Sequence, residues 1–376
     1  MTGISWLQKL YSEQQFFHEK KISSLDEFNT LLDHLGRPDA SYDYRVVIGG
    51  TAGKGTLCYG LEDLLSRSDV STLMLTSPHL MQVNERVRLN GTDITDLKLD
   101  EILLQIKKVS DSIEIVPTYY EAMILVGMVY GSQEQAKVLI AEVGLGGEFD
   151  AVNAVQGQRI SVVTFIGEDH LDIFKTLRGA ADTKSKIFTP ESVLNLSYEK
   201  EFQGVFRKNA SPHSVEFIKG VPTKYNQKIL KRIGRHILGS ISFTLQKVQI
   251  PARWEKFDID GIQYIIDGAH SKPRFEFIKK KVEKLTGKTV CIFGMTKNHD
   301  VRSFSVIESI FDQVIMVPLE DLGRSHSVKS LAGVFPKSLE SQDLVHALDI
   351  AKKMNPDKIL ITGSLYLCGM ARRLLC

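Results

Sequence analysis

Val46-Val47-Ile48-Gly49-Gly50-Thr51-Ala52-Gly53-Lys54-Gly55-Thr56 passes from a β-branched apolar run straight into a glycine-rich loop. It reads as a strand that ends in a phosphate cradle and opens a helix. Glycines let the backbone turn tightly enough for successive N–H groups to face an anion. The following helix, with Leu57, Leu61, Leu64 and Leu65 on one face, adds its positive dipole end. Lys54 supplies a point charge, and Thr56 is placed to offer its hydroxyl to a magnesium ion. The strict pattern wants Ser or Thr directly after the lysine, and here Gly55 intervenes. A nucleoside triphosphate is the expected ligand.

Outward from this loop, short runs rich in Val and Ile alternate with longer helical patterns: RVVIGG, STLMLTS, KVLIAEVG and ISVVTFIG, then QYIIDGA, KTVCIFGM, QVIMVPL and KILITGS. Such alternation predicts an α/β fold, with parallel sheets covered by helices on both faces and ligands gathered at the carboxyl ends of strands. Between about Glu191 and Ser240 the strand rhythm weakens, and a helical pattern appears around Tyr225 to Leu238. The border between two domains is placed close to Pro251, giving segments 1–249 and 250–376.

The 376 residues exceed one ordinary core, and a 43% hydrophobic fraction supports two. With 47 basic against 45 acidic residues, a net charge of +2 gives no electrostatic reason to invoke nucleic acid or a membrane surface. A small substrate and a monomer are expected. Cys58, Cys291, Cys368 and Cys376 lack C-x-x-C spacing, which fits a reducing cytoplasm. The N-terminus lacks a continuous apolar leader core, and no window approaches the ~20 apolar residues that span a bilayer.

Polar clusters close several of the predicted strands. Thr76-Ser77-Pro78-His79-Leu80 precedes Asn84-Glu85-Arg86-Val87-Arg88, and Ser77 and Glu85 are candidates to face the nucleotide. Glu142 ends an otherwise apolar strand, where an unpartnered carboxylate is costly. A divalent cation suits it, because magnesium takes oxygen ligands and keeps several waters; a salt bridge to a lysine is the alternative. His170 closes Gly167-Glu168-Asp169-His170, and Asp267-Gly268-Ala269-His270 ends a strand of the second half.

Taken in order, these strings resemble the folylpolyglutamate synthase/dihydrofolate synthase family of the Mur-type ligases. The loop matches G-T-x-G-K-G-[S/T], and the next string matches T-S-P-H-L…N-E-R. E-V-G-L-G-G, G-x-D-H, P-G-R-x-E (here Pro251-Ala252-Arg253-Trp254-Glu255) and D-G-A-H-N follow. The resemblance runs from about Leu31 to the last helix, with only about Glu191 to Asn226 outside it. It implies an ATP-binding Mur-ligase-like domain followed by a smaller Rossmann-like glutamate-ligase domain. It also implies ATP and Mg2+ as cofactors and nucleotide contacts from Gly50, Thr51, Gly53, Lys54, Gly55, Thr56, Arg253 and Asp267. The implied metal ligands are Thr56, Ser77, Glu142 and His170, and the implied catalytic residues are Lys54, Lys184, Arg253 and His270. Lys184, chosen over its neighbour Lys186, aligns with the family's lysine that reacts with carbon dioxide. A carbamate there turns a cation into an anion that completes a magnesium site, provided the amine is first neutral.

The activity so implied is ATP-dependent addition of L-glutamate to dihydropteroate, folates or both, through an acyl phosphate, by oxygen ligands and charges that converge on one Mg–triphosphate unit. Four departures bear on substrate more than on fold. Ala52 takes an asparagine position, Glu148 an arginine position, Ser271 replaces the asparagine of D-G-A-H-N, and Lys297-Asn298-His299-Asp300 replaces a D-K-D segment. Each weakens one contact by a factor on the order of ten, since a hydrogen bond to a charge contributes ~1.5–3 kcal/mol. Two alternatives stay open: a Mur-type ligase for another carboxylic acid, and a nucleotide-binding homologue that no longer catalyses. A small-molecule kinase or GTPase is disfavoured, because it gives the second-half motifs no task.

Overall fold

A computed structural model describes the chain except for residues 17–23, 169–170, 220–221, 240–243, 246–247, 271, 298–300, 306, 320–324 and 376. Two compact units emerge, Met1–Val248 and Gln249–Cys376.

The first unit is built on an eight-stranded sheet: β1 Tyr44–Gly49, β2 Thr72–Leu75, β3 Val87–Leu89, β4 Thr92–Asp93, β5 Val138–Glu142, β6 Arg159–Val163, β7 Ser192–Ser197 and β8 Val215–Phe217. Its order is β4-β3-β2-β5-β1-β6-β7-β8, with β3 antiparallel to both β2 and β4 and the other pairings parallel. β1 thus lies between β5 and β6, where the chain changes sides, the position at which such sheets hold ligands.

All residues of β5 and β6 are buried, as are all but the first of β1, so helices must cover both faces. Strand alternation sorts the side chains. Val46 and Ile48 face the helix Lys54–Ser66 with Leu57, Leu61, Leu64 and Leu65. Val47 points to the opposite core with Ile102, Leu103, Leu125 and Val126. In that second layer the helix Tyr119–Gln133 is apolar all round and has nine residues buried; Thr118 and Glu121 form a reciprocal cap at its start.

The second unit holds β9 Arg253–Ile259, β10 Ile262–Asp267, β11 Thr289–Phe293, β12 Gln313–Met316, β13 Leu339–Glu340 and β14 Lys358–Thr362, ordered β13-β12-β11-β14-β10-β9. Only the β9–β10 hairpin is antiparallel.

All eight strand runs read from the sequence are present. The interval from Glu191 to Ser240 departs from the reading: besides the helix Pro222–Leu238 it carries β7, β8 and the helix Gln203–Ala210. β7 escapes the periodicity argument because Ser192-Val193-Leu194-Asn195-Leu196-Ser197 buries its polar residues, with Ser192 hydrogen-bonded to Ser161 at 2.9 Å, and β8 is too short to show a period. No described helix is long and apolar enough to cross a membrane.

Two expectations follow from this packing. A Cβ at Gly131 would lie 2.8 Å from the Leu73 Cβ and against the Tyr42 hydroxyl, which donates to the Met128 carbonyl at 3.0 Å. Helix propensity favours Ala over Gly by ~1 kcal/mol, whereas overpacking costs ~1–3 kcal/mol. Gly131→Ala therefore lowers the urea midpoint, and an unchanged midpoint would show that the two elements are not in contact. Cys58, Cys291 and Cys368 are buried free thiols whose pKa values burial pushes up. Iodoacetamide at pH 8 should leave all three unmodified in the native protein and alkylate them in denaturant, read by peptide mass.

Candidate functional site

The glycine loop follows β1 at its carboxyl end, and its shape depends on two left-handed glycines, Gly50 at φ +130° and Gly53 at φ +91°. A side chain at Gly50 would collide with Thr164, whose N–H and hydroxyl both reach the Gly49 carbonyl, at 2.8 and 3.0 Å. The Thr51 N–H donates to the Phe165 carbonyl at 2.7 Å, and its hydroxyl accepts from the Gly167 N–H at 3.1 Å. Ala52 forms an isolated antiparallel bridge with Phe165. The loop is thus zipped to the segment that follows β6.

Gly53 caps the helix Lys54–Ser66 without any side-chain acceptor for its first N–H groups. Those donors and the dipole make an anion site. Gly55 and Thr56, both partly buried, lie in this first turn.

Glu142 is the last residue of β5, in register with Ile48, and only 7% exposed. Lys54 Nζ stands 4.0 Å from its Oε1, and the Ser77 N–H donates to its Oε2 at 3.3 Å. Lys54 also donates to the Gly50 carbonyl at 3.1 Å. A Cβ on Gly55 would sit 3.6 Å from the same carboxylate, so the helix start, the strand tip and the loop after β2 meet at one acid. The lysine pairing held open from sequence is present at its outer limit, where attraction is about 4 kcal/mol at an effective dielectric near 20.

The loop after Glu142 is held by Asp150, which the sequence reading did not single out. Its Oδ2 accepts from the N–H groups of Gly144 and Leu145 at 2.8 and 3.0 Å, and its Oδ1 from Val152 N–H and the Tyr120 hydroxyl at 3.1 and 3.0 Å. Burial pushes up the pKa of both Asp150 and Tyr120. The available signal was an aspartate capping the short turn Ala151–Ala154 right after a glycine-rich loop.

Glu85, proposed from sequence to face a nucleotide, is instead committed to its own turn. Its oxygens accept the N–H groups of Leu80, Met81 and Gln82 at 2.7, 2.9 and 3.0 Å. His79 Nδ1 takes the Arg86 Nε at 2.8 Å, and that guanidinium lies 5.3 Å from the Tyr119 ring centre.

Lys184 lies on the helix Leu177–Ser185, 4% exposed, with Nζ 4.9 Å from the Phe174 ring centre. Lys186 caps that helix and is only partly buried. His170, Ser271 and 298–300 lie outside the described residues. Among the described residues no three His, Cys, Asp or Glu side chains form a metal cluster. The oxygens of Glu142, Ser77 and Thr56, from one carboxylate and two hydroxyls, nevertheless suit a hard cation that keeps water and phosphate as its other ligands.

In the second unit, Arg253 opens β9 directly opposite Asp267, the last residue of β10. Asp267 is fully buried and gripped bidentately by Arg274, Nε to Oδ1 at 3.2 Å and Nη2 to Oδ2 at 2.6 Å. His270 Nδ1 lies 2.8 Å from the Gly268 carbonyl, which cannot donate, so Nδ1 carries the proton. Glu255 accepts the Ala252 N–H at 2.9 Å and lies 3.2 Å from Arg372 Nε.

Comparison with known proteins extends beyond single motifs. The Mur ligase middle domain model matches residues 48–232. A dihydrofolate synthase/folylpolyglutamate synthase of Buchnera aphidicola is 25% identical over 415 aligned positions, covering 96% of this chain and 95% of the relative. The Escherichia coli protein of the same name is 24% identical, covering 96% and 93%. Among solved structures, Escherichia coli FolC in complex with DHPP and ADP superposes with a TM-score of 0.85 at 21% identity, over 100% of this chain and 97% of that one. The Yersinia pestis bifunctional enzyme with AMPPNP and Mn gives 0.84 at 20%, over 100% and 98%. Fold, ordered motifs and near full-length alignment agree: the chain matches the Mur ligase middle domain and is similar along almost its whole length to dihydrofolate synthase/folylpolyglutamate synthases.

Proposed function

We propose that this protein is an ATP-dependent ligase that joins the amine of L-glutamate to the carboxylate of dihydropteroate or a folate, acting as a monomer in the cytoplasm. The observation that carries the reading is the convergence of Lys54, Ser77 and Glu142 at an uncapped helix start, beside a loop shaped by Gly50 and Gly53. The ATP γ-phosphoryl group passes to the acceptor carboxylate, giving an acyl phosphate and ADP. The glutamate amine then attacks the acyl carbon, loses its proton and releases phosphate.

Such chemistry asks the protein for position and charge rather than for a covalent nucleophile. The N–H groups of Gly53, Lys54 and Gly55 face the phosphates, and Lys54 exchanges its Gly50 carbonyl for a phosphate oxygen. Thr56, Ser77, Glu142 and His170 would hold a divalent ion, and Lys184, if its neutral amine added carbon dioxide and lost a proton, would supply a further anionic oxygen. When bound, magnesium offsets the charge of the triphosphate. On the second unit, Arg253, Asp267 and His270 are the residues to which the family resemblance gives nucleotide contacts, and Arg274 fixes the Asp267 carboxylate. Leu145, Phe149 and Phe165, each 40% or more exposed on the loops after β5 and β6, supply apolar surface for a flat acceptor ring.

The test is an assay of ADP release with glutamate and a pteroate supplied together and singly, with the amide product identified by mass. Turnover should require both. Nucleotide hydrolysis indifferent to pteroates would remove the folate acceptor, and binding without turnover in every mixture would leave a nucleotide-binding homologue. In the same assay Lys54→Met should lower kcat by about 100-fold, the usual scale for losing one charge-stabilising donor, and should also lower the urea midpoint, because the buried Glu142 carboxylate loses its cation.

A further inference from the structure

Arg253 sits in an unusual piece of backbone. Along the β9–β10 hairpin Glu255 pairs with Ile266, but the register then shifts and Arg253 pairs with Asp267, leaving Trp254 as the extra residue of a bulge. Both neighbours of the arginine are left-handed, Ala252 at φ +52° and Trp254 at φ +59°. Large aromatic residues rarely accept that conformation, so the surroundings must impose it. Bulges of this kind re-aim side chains beside active sites.

The surroundings are identifiable. Lys281 Nζ lies 4.8 Å from the Trp254 ring centre and 4.8 Å from that of Phe277, so the ammonium is held between two rings. Arg274, whose guanidinium is 5.1 Å from Phe277, grips Asp267 on the opposite strand. Positions 274, 277 and 281 share one face of the helix Lys272–Val282. That face therefore fastens both sides of the bulge: the ring of Trp254 on β9 and the carboxylate of Asp267 on β10. Behind it, Glu255 takes the Ala252 N–H, and the Gly268 N–H donates to the Ala252 carbonyl at 3.0 Å.

We propose that Trp254 is a positioning residue: its ring, held by Lys281 against the helix Lys272–Val282, locks the bulge whose backbone aims the Arg253 guanidinium at its phosphoryl target. This rests on the reading of Arg253 given above. Without the ring, the arginine keeps its charge but loses its direction, and misplacements of about 1 Å can cost up to ~100-fold in rate.

The test is a mutant cycle on the full chain, reading kcat and KM for ATP together with thermal midpoints. Arg253→Ala should lower kcat/KM by about 100-fold, the scale of a lost charge donor. Trp254→Gly and Lys281→Met should each lower it by about tenfold with midpoints within a few degrees, whereas Trp254→Phe, which keeps a ring over Lys281, should stay within about twofold. The deciding variant is Arg253→Ala/Trp254→Gly, which should be no worse than Arg253→Ala alone, because the tryptophan acts through the arginine. A further tenfold loss in that background, or normal rates for Trp254→Gly and Lys281→Met, would overturn the proposal. Should Trp254→Gly unfold, Lys281→Met and Arg253→Ala/Lys281→Met give the same cycle with only the half-buried cation between the two rings changed. Normal kinetics for Arg253→Ala would instead remove the role of the arginine, and this inference with it.

Discussion

A carboxylate at the tip of a completely buried strand is the constraint from which the site follows. Glu142 ends β5, where apolar neighbours offer no solvation and an isolated charge would be prohibitive. Two elements relieve it by converging there: Lys54 from the first turn of a helix, where Gly55 leaves the approach open, and the Ser77 N–H from the loop after β2. The same convergence leaves an uncapped helix start, a lysine and several oxygens within reach of one anion–cation pair. Stability and function thus make the same demand on this corner of the sheet.

The loops around this acid are themselves tied down by buried and partly buried hydrogen bonds within the protein. Thr51 and Thr164 join the glycine loop to the segment after β6, and Asp150 with Tyr120 fixes the turn after β5. Asp150 satisfies four donors with two oxygens, so its loss would leave the buried Val152 N–H without its acceptor and free the turn it holds. In the second unit the same economy appears around Asp267, whose carboxylate is spoken for by Arg274. Thr51, Thr164, Asp150 and Asp267 are therefore anchored to backbone or guanidinium before any ligand arrives, which limits the reorganisation that binding requires.

Much of this was legible in the residues, and the failures have physical causes. Glu142 announced itself because a single acid closing an apolar run demands a partner. The central strands were legible because both faces are buried, so they read as continuous Val and Ile runs. β7 was not, since its buried polar residues include Ser192 and Asn195, bonded to partners some twenty to thirty positions away, and β8 is only three residues long. Glu85 looked available in a polar loop, yet three backbone N–H groups consume it; sequence cannot show whether a carboxylate is already satisfied locally. Lys184 and Lys186 differ by burial, a property of the helix face rather than of the residue type. The bulge at Trp254 depends on a left-handed φ that no side-chain pattern encodes.

The central claim is that Glu142 receives the divalent ion carried by the triphosphate, and it is tested most directly by titrating ATP calorimetrically into wild-type protein and Glu142→Gln, each with magnesium and with EDTA. Magnesium should tighten binding to the wild type by tenfold or more, since a lost charged contact contributes ~1.5–3 kcal/mol. It should leave Glu142→Gln, which keeps the glycine loop and Lys54, close to its magnesium-free affinity. Full magnesium-dependent tightening in Glu142→Gln would contradict the account and move the ion elsewhere.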